Sequence, residues 1–197
     1  SQLVQDAVNA FARFPGIGRK SALKLVLHLL RREPSEALGL GDALKRLVEE
    51  IQYCERCFHF SDHALCSVCS NPRRQHETVC VVADPRDLMA IEQTGRYTGV
   101  YHVLGGLIAP LEGVQPEQLR IEELMARVEA GAVKEVVLAL NSTHEGETTA
   151  FYLSRRLSNT PVTLSTLARG VAVGAELEYA DELTLGRSIA DRVPFKG

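Results

Sequence analysis

Apolar positions along the chain keep two different periods. Over residues 3–13, LVQDAVNAFAR, the residues Leu3, Ala7, Val8 and Phe11 recur at helical spacing, and Pro15 stops the pattern near Phe14. A second helical pattern over 20–32 follows the PGIG turn. It sets Leu23, Val26, Leu27 and Leu30 toward a core and Lys20, Lys24, His28 and Arg31 along another face. A third helix is expected from Asp42 as N-cap, with Leu44, Leu47, Val48 and Ile51 as its buried face. From Thr78 onward the period shortens to β-branched runs, TVCVVA, VYHVL, EVVLAL and VTLSTL. Helices expected over 85–94, 116–129 and 145–157 alternate with them, broken at Gly95, Gly131 and RGVAVGAE. That alternation predicts an α/β fold built on a mainly parallel sheet covered by helices.

Between the two patterns lies a polar stretch, CERCFHFSDHALCSVC, holding four of the five cysteines. Cys54 and Cys57 form one CxxC unit and Cys66 and Cys69 another, eight residues apart, a spacing that suits two knuckles around one tetrahedral ion. Four thiolates close the shell of Zn2+ and leave no open position for water, so the expected ion is structural rather than catalytic. His59 and His63 stand nearby as alternative ligands, but four cysteines already suffice. Cys80 sits in an apolar run and reads as a small hydrophobe. Arg73 and Arg74 read either as a nucleic-acid contact or as a solvated linker.

With 197 residues, 45% of them hydrophobic, the chain can bury one sizeable core and a small satellite domain. No apolar run of about 18 residues and no secretory pattern is present, which predicts a cytoplasmic protein without a membrane span. The net charge of −3 argues against a nucleic-acid binder, yet it averages two unlike regions. The first 32 residues hold Arg13, Arg19, Lys20, Lys24, Arg31 and Arg32 against the single acid Asp6, and the remainder is acidic. Within that basic head, FPGIGRKSA combines Gly16 and Gly18 for a tight turn, Ile17 as an inward anchor and a helix N-terminus with unpaired N–H groups. Such a turn can hold a phosphate, with Arg19, Lys20 and Lys24 flanking the same backbone without reading bases. The arrangement resembles the helix-hairpin-helix motif of DNA-binding proteins; the plainer reading is an αα-hairpin with a solvated cationic face. It is not a P-loop, because a helix precedes it and Arg19 separates Gly18 from Lys20.

The motifs PGIGRKSA, the CxxC pair, SNPRR, YHVLGGLIAPLEGV, HEGETTAFYL and ELEYADELTLGR, in this order, closely resemble the RecR family of bacterial recombination mediators across essentially the whole chain. The resemblance implies a helix-hairpin-helix head over 1–52, a four-cysteine zinc finger over 53–76, a Toprim domain over 77–171 and a C-terminal segment over 172–197 with a Walker-B-like acidic strand. It implies one structural zinc ion, sequence-independent binding of single-stranded and duplex DNA, and assembly from dimers into a tetrameric ring. It also implies association with the nucleoid and action with RecO, and with RecF in many bacteria, in loading RecA.

Toprim enzymes hold Mg2+ with a Glu after one strand and a DxD after another. Here Ala83 stands at the first position, where relatives often keep Glu, and Asn141, Ser142 and Thr143 stand at the second. The expectation is therefore no catalysis, with Asp84, Asp87, Glu145 and Glu147 forming a docking surface for a basic partner. The competing classes are a Mg2+-dependent phosphoryl-transfer enzyme or nuclease and a purely protein-binding zinc module. Glu176, Glu178 and Asp181 suggest Walker B only by analogy, and without a P-loop nucleotide hydrolysis is not expected.

Overall fold

The computed structural model describes residues 1–168, 170–174 and 176–194. The chain divides into two compact units, 1–52 and 53–197. The first contains α1 (Gln2–Phe11), α2 (Arg19–Leu30) and α3 (Pro34–Glu50). Its core is small: Val8, Ala22 and Val26 are buried, with Val4, Ala7, Phe11, Ala12 and Ile17 packed around them.

Three expectations for this unit fail. The leucines of α2 do not form its buried face: Leu23, Leu27 and Leu30 are 42%, 41% and 66% exposed. Ala22 and Val26, one turn apart, face α1 instead, because a methyl side chain lets two short helices approach closely. The third helix starts two turns earlier than Asp42, at Pro34, whose fixed φ suits the first helical position. The helix runs through Gly39 and Gly41 despite a cost of about 1 kcal/mol for each interior glycine. Leu44, Leu47, Val48 and Ile51, expected to be buried, are all exposed.

At the start of the second unit, β1 (Gln52–Tyr53) and β2 (Phe60–Ser61) pair as a short ribbon. Then follow β3 (Gln75–Val82), α4 (Pro85–Gln93), β4 (Gly99–Val103), α5 (Ile121–Glu129), β5 (Glu135–Leu138), α6 (His144–Leu157), β6 (Thr163–Thr166) and α7 (Glu182–Ala190). The sheet is parallel throughout, in the order β4-β3-β5-β6. Val79, Cys80, Val81 and Val82 are buried in succession, as a parallel strand covered on both faces requires. Burial also pushes the Cys80 thiol up to about 12, so it behaves as the small hydrophobe expected.

The helix expected over 116–129 is divided. Pro116–Gln118 is a 3-10 turn, Leu119 is extended and buried, and the Arg120 amide donates to the Leu104 carbonyl at 2.9 Å before α5 begins. The strand expected around Glu176 and Glu178 is likewise absent among the described residues. Leu177–Tyr179 forms a 3-10 turn, and Asp181 caps α7 by accepting from the Thr184 amide at 2.8 Å. Leu177 and Tyr179 are exposed, so no core pulls this short segment into the sheet. The break expected at RGVAVGAE includes Arg169 and Ala175, which lie outside the described residues.

Candidate nucleic-acid interface and metal centre

Helix α1 ends in a tight turn in which the Ile17 amide donates to the Phe14 carbonyl at 3.1 Å and Gly16 takes φ +79°, a left-handed conformation that favours glycine. Gly18 is the N-cap of α2 and supplies no side-chain cap, and the first turn of α2 holds no acid, so its amide groups and positive dipole end stay available to an anion. A Cβ added at Gly16 or Gly18 would meet nothing within 4 Å, which leaves the space over the turn open to a phosphate. Arg19 reaches back to donate to Asn9 Oδ1 at 3.0 Å, so α1 orients it. Lys20 and Lys24 are exposed and, among the described residues, carry no ion pair or hydrogen bond. The hairpin thus brings all five predicted contacts, Gly16, Gly18, Arg19, Lys20 and Lys24, to the start of one helix.

The four cysteines Cys54, Cys57, Cys66 and Cys69 converge, with all sulfurs within 4.8 Å of one another. Cys57 Sγ lies 3.6 Å from Cys66 Sγ, near the roughly 3.8 Å edge of a tetrahedron whose zinc–sulfur bonds are about 2.3 Å. That separation is far beyond a disulfide bond, about 2.05 Å, and all the cysteines are free. Two knuckles build the site. In the first, the Phe58 amide donates to the Cys54 carbonyl at 2.9 Å with Phe58 held at φ 63°; in the second, the Ser70 amide donates to the Cys66 carbonyl at 2.9 Å. The Cys69 amide also donates to Cys66 Sγ at 3.4 Å. Hydrogen bonds from Cys57 and Cys69 pull the Cys66 thiol far down, while its bond to Cys66 pushes Cys57 far up. Four buried sulfurs held this close together suit a shared metal ion. His59 and His63 are not part of the cluster.

The zinc segment is part of the same core as the sheet. Cys54, Cys57, Cys66, Val68 and Cys69 cluster with Val79, Val100, Tyr101 and Leu124. Backbone contacts join it to β4, an edge strand: the Val103 amide donates to the Cys57 carbonyl at 2.8 Å. The Phe58 ring packs edge-on against His102 at 5.3 Å, with the Arg120 guanidinium 5.0 Å from its centroid. His102 is fully buried, its Nε2 lies 2.6 Å from the Arg120 carbonyl, and burial lowers its pKa to about 4.

The acids expected to dock a partner lie after β3 and β5, where open α/β sheets gather functional loops. Asp84 and Asp87 form a capping box at the start of α4, and Asp84 also accepts from Arg86 Nε at 2.9 Å, which lowers its pKa. Ala83 is buried, its carbonyl accepting from the Gly105 amide at 3.0 Å. On α6, Thr143 is the N-cap, and Gly146 is required because a Cβ there would lie 1.9 Å from the Asn141 carbonyl oxygen. Glu145 is held below the ordinary carboxylate range by its own amide and the Thr143 hydroxyl, and Glu147 pairs with Arg187 of α7 at 3.1 Å. Of the basic pair after the cysteines, Arg74 is consumed internally: it pairs with Glu92 and donates to the Tyr97 carbonyl at 2.9 Å, while the Tyr101 hydroxyl donates to Glu92 at 2.6 Å. The residue that sequence reasoning missed is Arg127, which reaches from α5 to the first cysteine knuckle. On a helix flanked by Glu122, Glu123 and Glu129 it looks like one more solvated charge.

A helical hairpin, a four-cysteine centre and a four-stranded parallel sheet define a zinc-finger protein with a Toprim fold. Residues 4–48 match the RecR helix-hairpin-helix, 51–71 the RecR four-cysteine zinc finger domain, 77–168 the Toprim domain and 170–193 the RecR C-terminal family. The chain is 53% identical to a protein named "Recombination protein RecR" from Flavobacterium johnsoniae, over 100% of this chain and 95% of that one. Proteins of the same name from Phocaeicola vulgatus and Bacteroides thetaiotaomicron are each 52% identical over 100% of this chain and 96% of their own length. The chain belongs to the RecR family, and its four clustered cysteines are that family's zinc site.

Proposed function

We propose that this protein is a non-enzymatic DNA-binding mediator of recombinational repair, closing as a ring or clamp on DNA and acting with RecO, and with RecF, to load RecA on single strands. The observation that carries the DNA-binding part is the open N-terminus of α2, where Gly16 and Gly18 leave room for a phosphate and Lys20 and Lys24 have no internal partner among the described residues. Contacts of this kind go to the backbone, so binding is independent of sequence and weakens with salt. The relatives' shared name, "Recombination protein RecR", supports the pathway. Assembly is supported by the exposed leucines at one-turn spacing on α2, Leu23, Leu27 and Leu30, and on α3, Leu40, Leu44 and Leu47. No helix among the described residues is long and apolar enough to cross a membrane. Work on bacterial DNA implies a place in the cytoplasm, on the nucleoid.

Residue types speak against the Toprim nuclease reading: Ala83 and Asn141-Ser142-Thr143 offer no carboxylate where Mg2+ chemistry needs three. Asp84, Asp87, Glu145 and Glu147 serve instead as the surface for a basic partner, and Glu145 carries no ion pair among the described residues. A combined measurement tests the whole reading: solution mass, DNA affinity at low salt and incubation of DNA with Mg2+. The expected result is an oligomer that binds single-stranded and duplex DNA and leaves it intact. Mg2+-dependent cleavage abolished by Glu145→Ala would favour the enzyme, and absence of DNA affinity would favour a protein-binding zinc module.

A further inference from the structure

A zinc ion held by four thiolates leaves a site with two net negative charges, and a buried charge is costly unless a partner lies close. On the other side of the first knuckle stands a cation with the complementary problem. Arg127 of α5 is partly buried and, among the described residues, has no carboxylate partner. Its Nη1 donates to the Tyr101 carbonyl of β4 at 2.7 Å and to the Arg56 carbonyl, between Cys54 and Cys57, at 3.4 Å. Burial lowers its pKa, and the sulfurs of Cys69, Cys57 and Cys54 pull in the opposite direction. The guanidinium therefore bridges two carbonyls, one on edge strand β4 and one between the two cysteines of the first knuckle.

We propose that Arg127 is the counter-cation of the zinc tetrathiolate, a positioning residue that ties retention of the metal to the edge of the sheet. The inference rests on the assignment of zinc to the four cysteines. Arg56 is a second guanidinium near the site, donating to the Cys69 carbonyl at 3.4 Å, but it is exposed, and solvent screens its charge. Arg127 is thus the less solvent-exposed of the two guanidinium groups beside the site.

The test uses the full chain and two substitutions. Arg127→Lys keeps the charge and replaces the guanidinium whose Nη1 donates to two carbonyls by an ammonium; Arg127→Met removes both the charge and the donor. Zinc content is measured first, and a wild-type protein without one zinc per chain overturns the zinc assignment itself, apart from any role of Arg127. Zinc transfer to a chromogenic chelator is then followed at neutral pH. Arg127→Met is expected to release zinc about tenfold faster or more, the scale on which groups around a metal's ligands act. Arg127→Lys stays within about threefold of wild type on the same scale, and Arg56→Met is indistinguishable from it. In cobalt-substituted protein the sulfur-to-metal charge-transfer band shifts in Arg127→Met and returns toward wild type in Arg127→Lys, a signature that mere loss of a structural clamp does not give. Equally fast release from the Lys and Met variants, or wild-type release from the Met variant, overturns the proposal. Should Arg127→Met fail to fold, Arg127→Lys decides alone: near-wild-type release supports the charge role and rapid release removes it.

Discussion

In the body, β3 buries four successive residues, the zinc-site cysteines are packed into the same core, and the outward groups of edge strand β4 are taken up by the Cys57 carbonyl and Arg127. The head buries only Val8, Ala22 and Val26 and displays leucines along α2 and α3. Both regions carry regular apolar patterns, so the difference lies in what each pattern finds to cover it. The body closes on itself, with a metal supplying what a finger of about 25 residues lacks in core. The head leaves its leucine stripes and its cationic hairpin exposed, the surfaces through which the proposed function has it meet a partner and DNA.

The sharpest way to break the body is at the metal. Stripping zinc with a chelator, or Cys57→Ser, removes a contribution that reaches about 10 kcal/mol in small zinc domains. Near-ultraviolet circular dichroism should then lose the signal of Tyr97 and Tyr101, whose rings pack 5.0 Å apart in the body. Retention of that signal without zinc would mean the core stands unaided.

Acid probes the same region more gently. His102 is neutral in the fold with a pKa of about 4, whereas an unfolded histidine titrates near 6.5. The unfolded chain therefore binds the extra proton first as pH falls below about 6.5, and stability drops by about 2 kcal/mol by pH 5. Urea unfolding at pH 7 and pH 5 should show this loss, with a smaller loss in His102→Gln. Equal losses would remove His102 as the cause.

The head should respond in the opposite way. Replacing Leu27 and Leu30 with Ser changes exposed positions, so its effect on the unfolding of a single chain stays within about 0.5 kcal/mol per site. Solution mass should nevertheless fall if these stripes join copies of the chain. A stability loss of several kcal/mol with unchanged mass would show that they serve the fold of the head itself.

What could be read from the sequence followed the same division. The strands TVCVVA, VYHVL, EVVLAL and VTLSTL were legible because buried parallel strands are continuous apolar runs, and the CxxC pairs because thiol spacing is dictated by a tetrahedral shell. The leucine stripes of the head were legible as helices but not as surface, since periodicity tells which residues share a face and not whether anything covers it. Arg74 and Arg127 were illegible for another reason. Each is an ordinary basic residue whose partners, Glu92 for one and the Arg56 and Tyr101 carbonyls for the other, come from distant parts of the chain.

The central claim is that the head holds nucleic acid through phosphates while the body's metal holds the body. Titration of a single-stranded oligonucleotide across a range of salt, with the intact chain and with Lys20→Ala/Lys24→Ala, tests it most directly. The double variant is expected to bind more weakly, with a log–log salt slope shallower by about 1.4 for two lost phosphate contacts on a single strand, and with unchanged zinc content. Identical affinity and slope in the two proteins would contradict the claim.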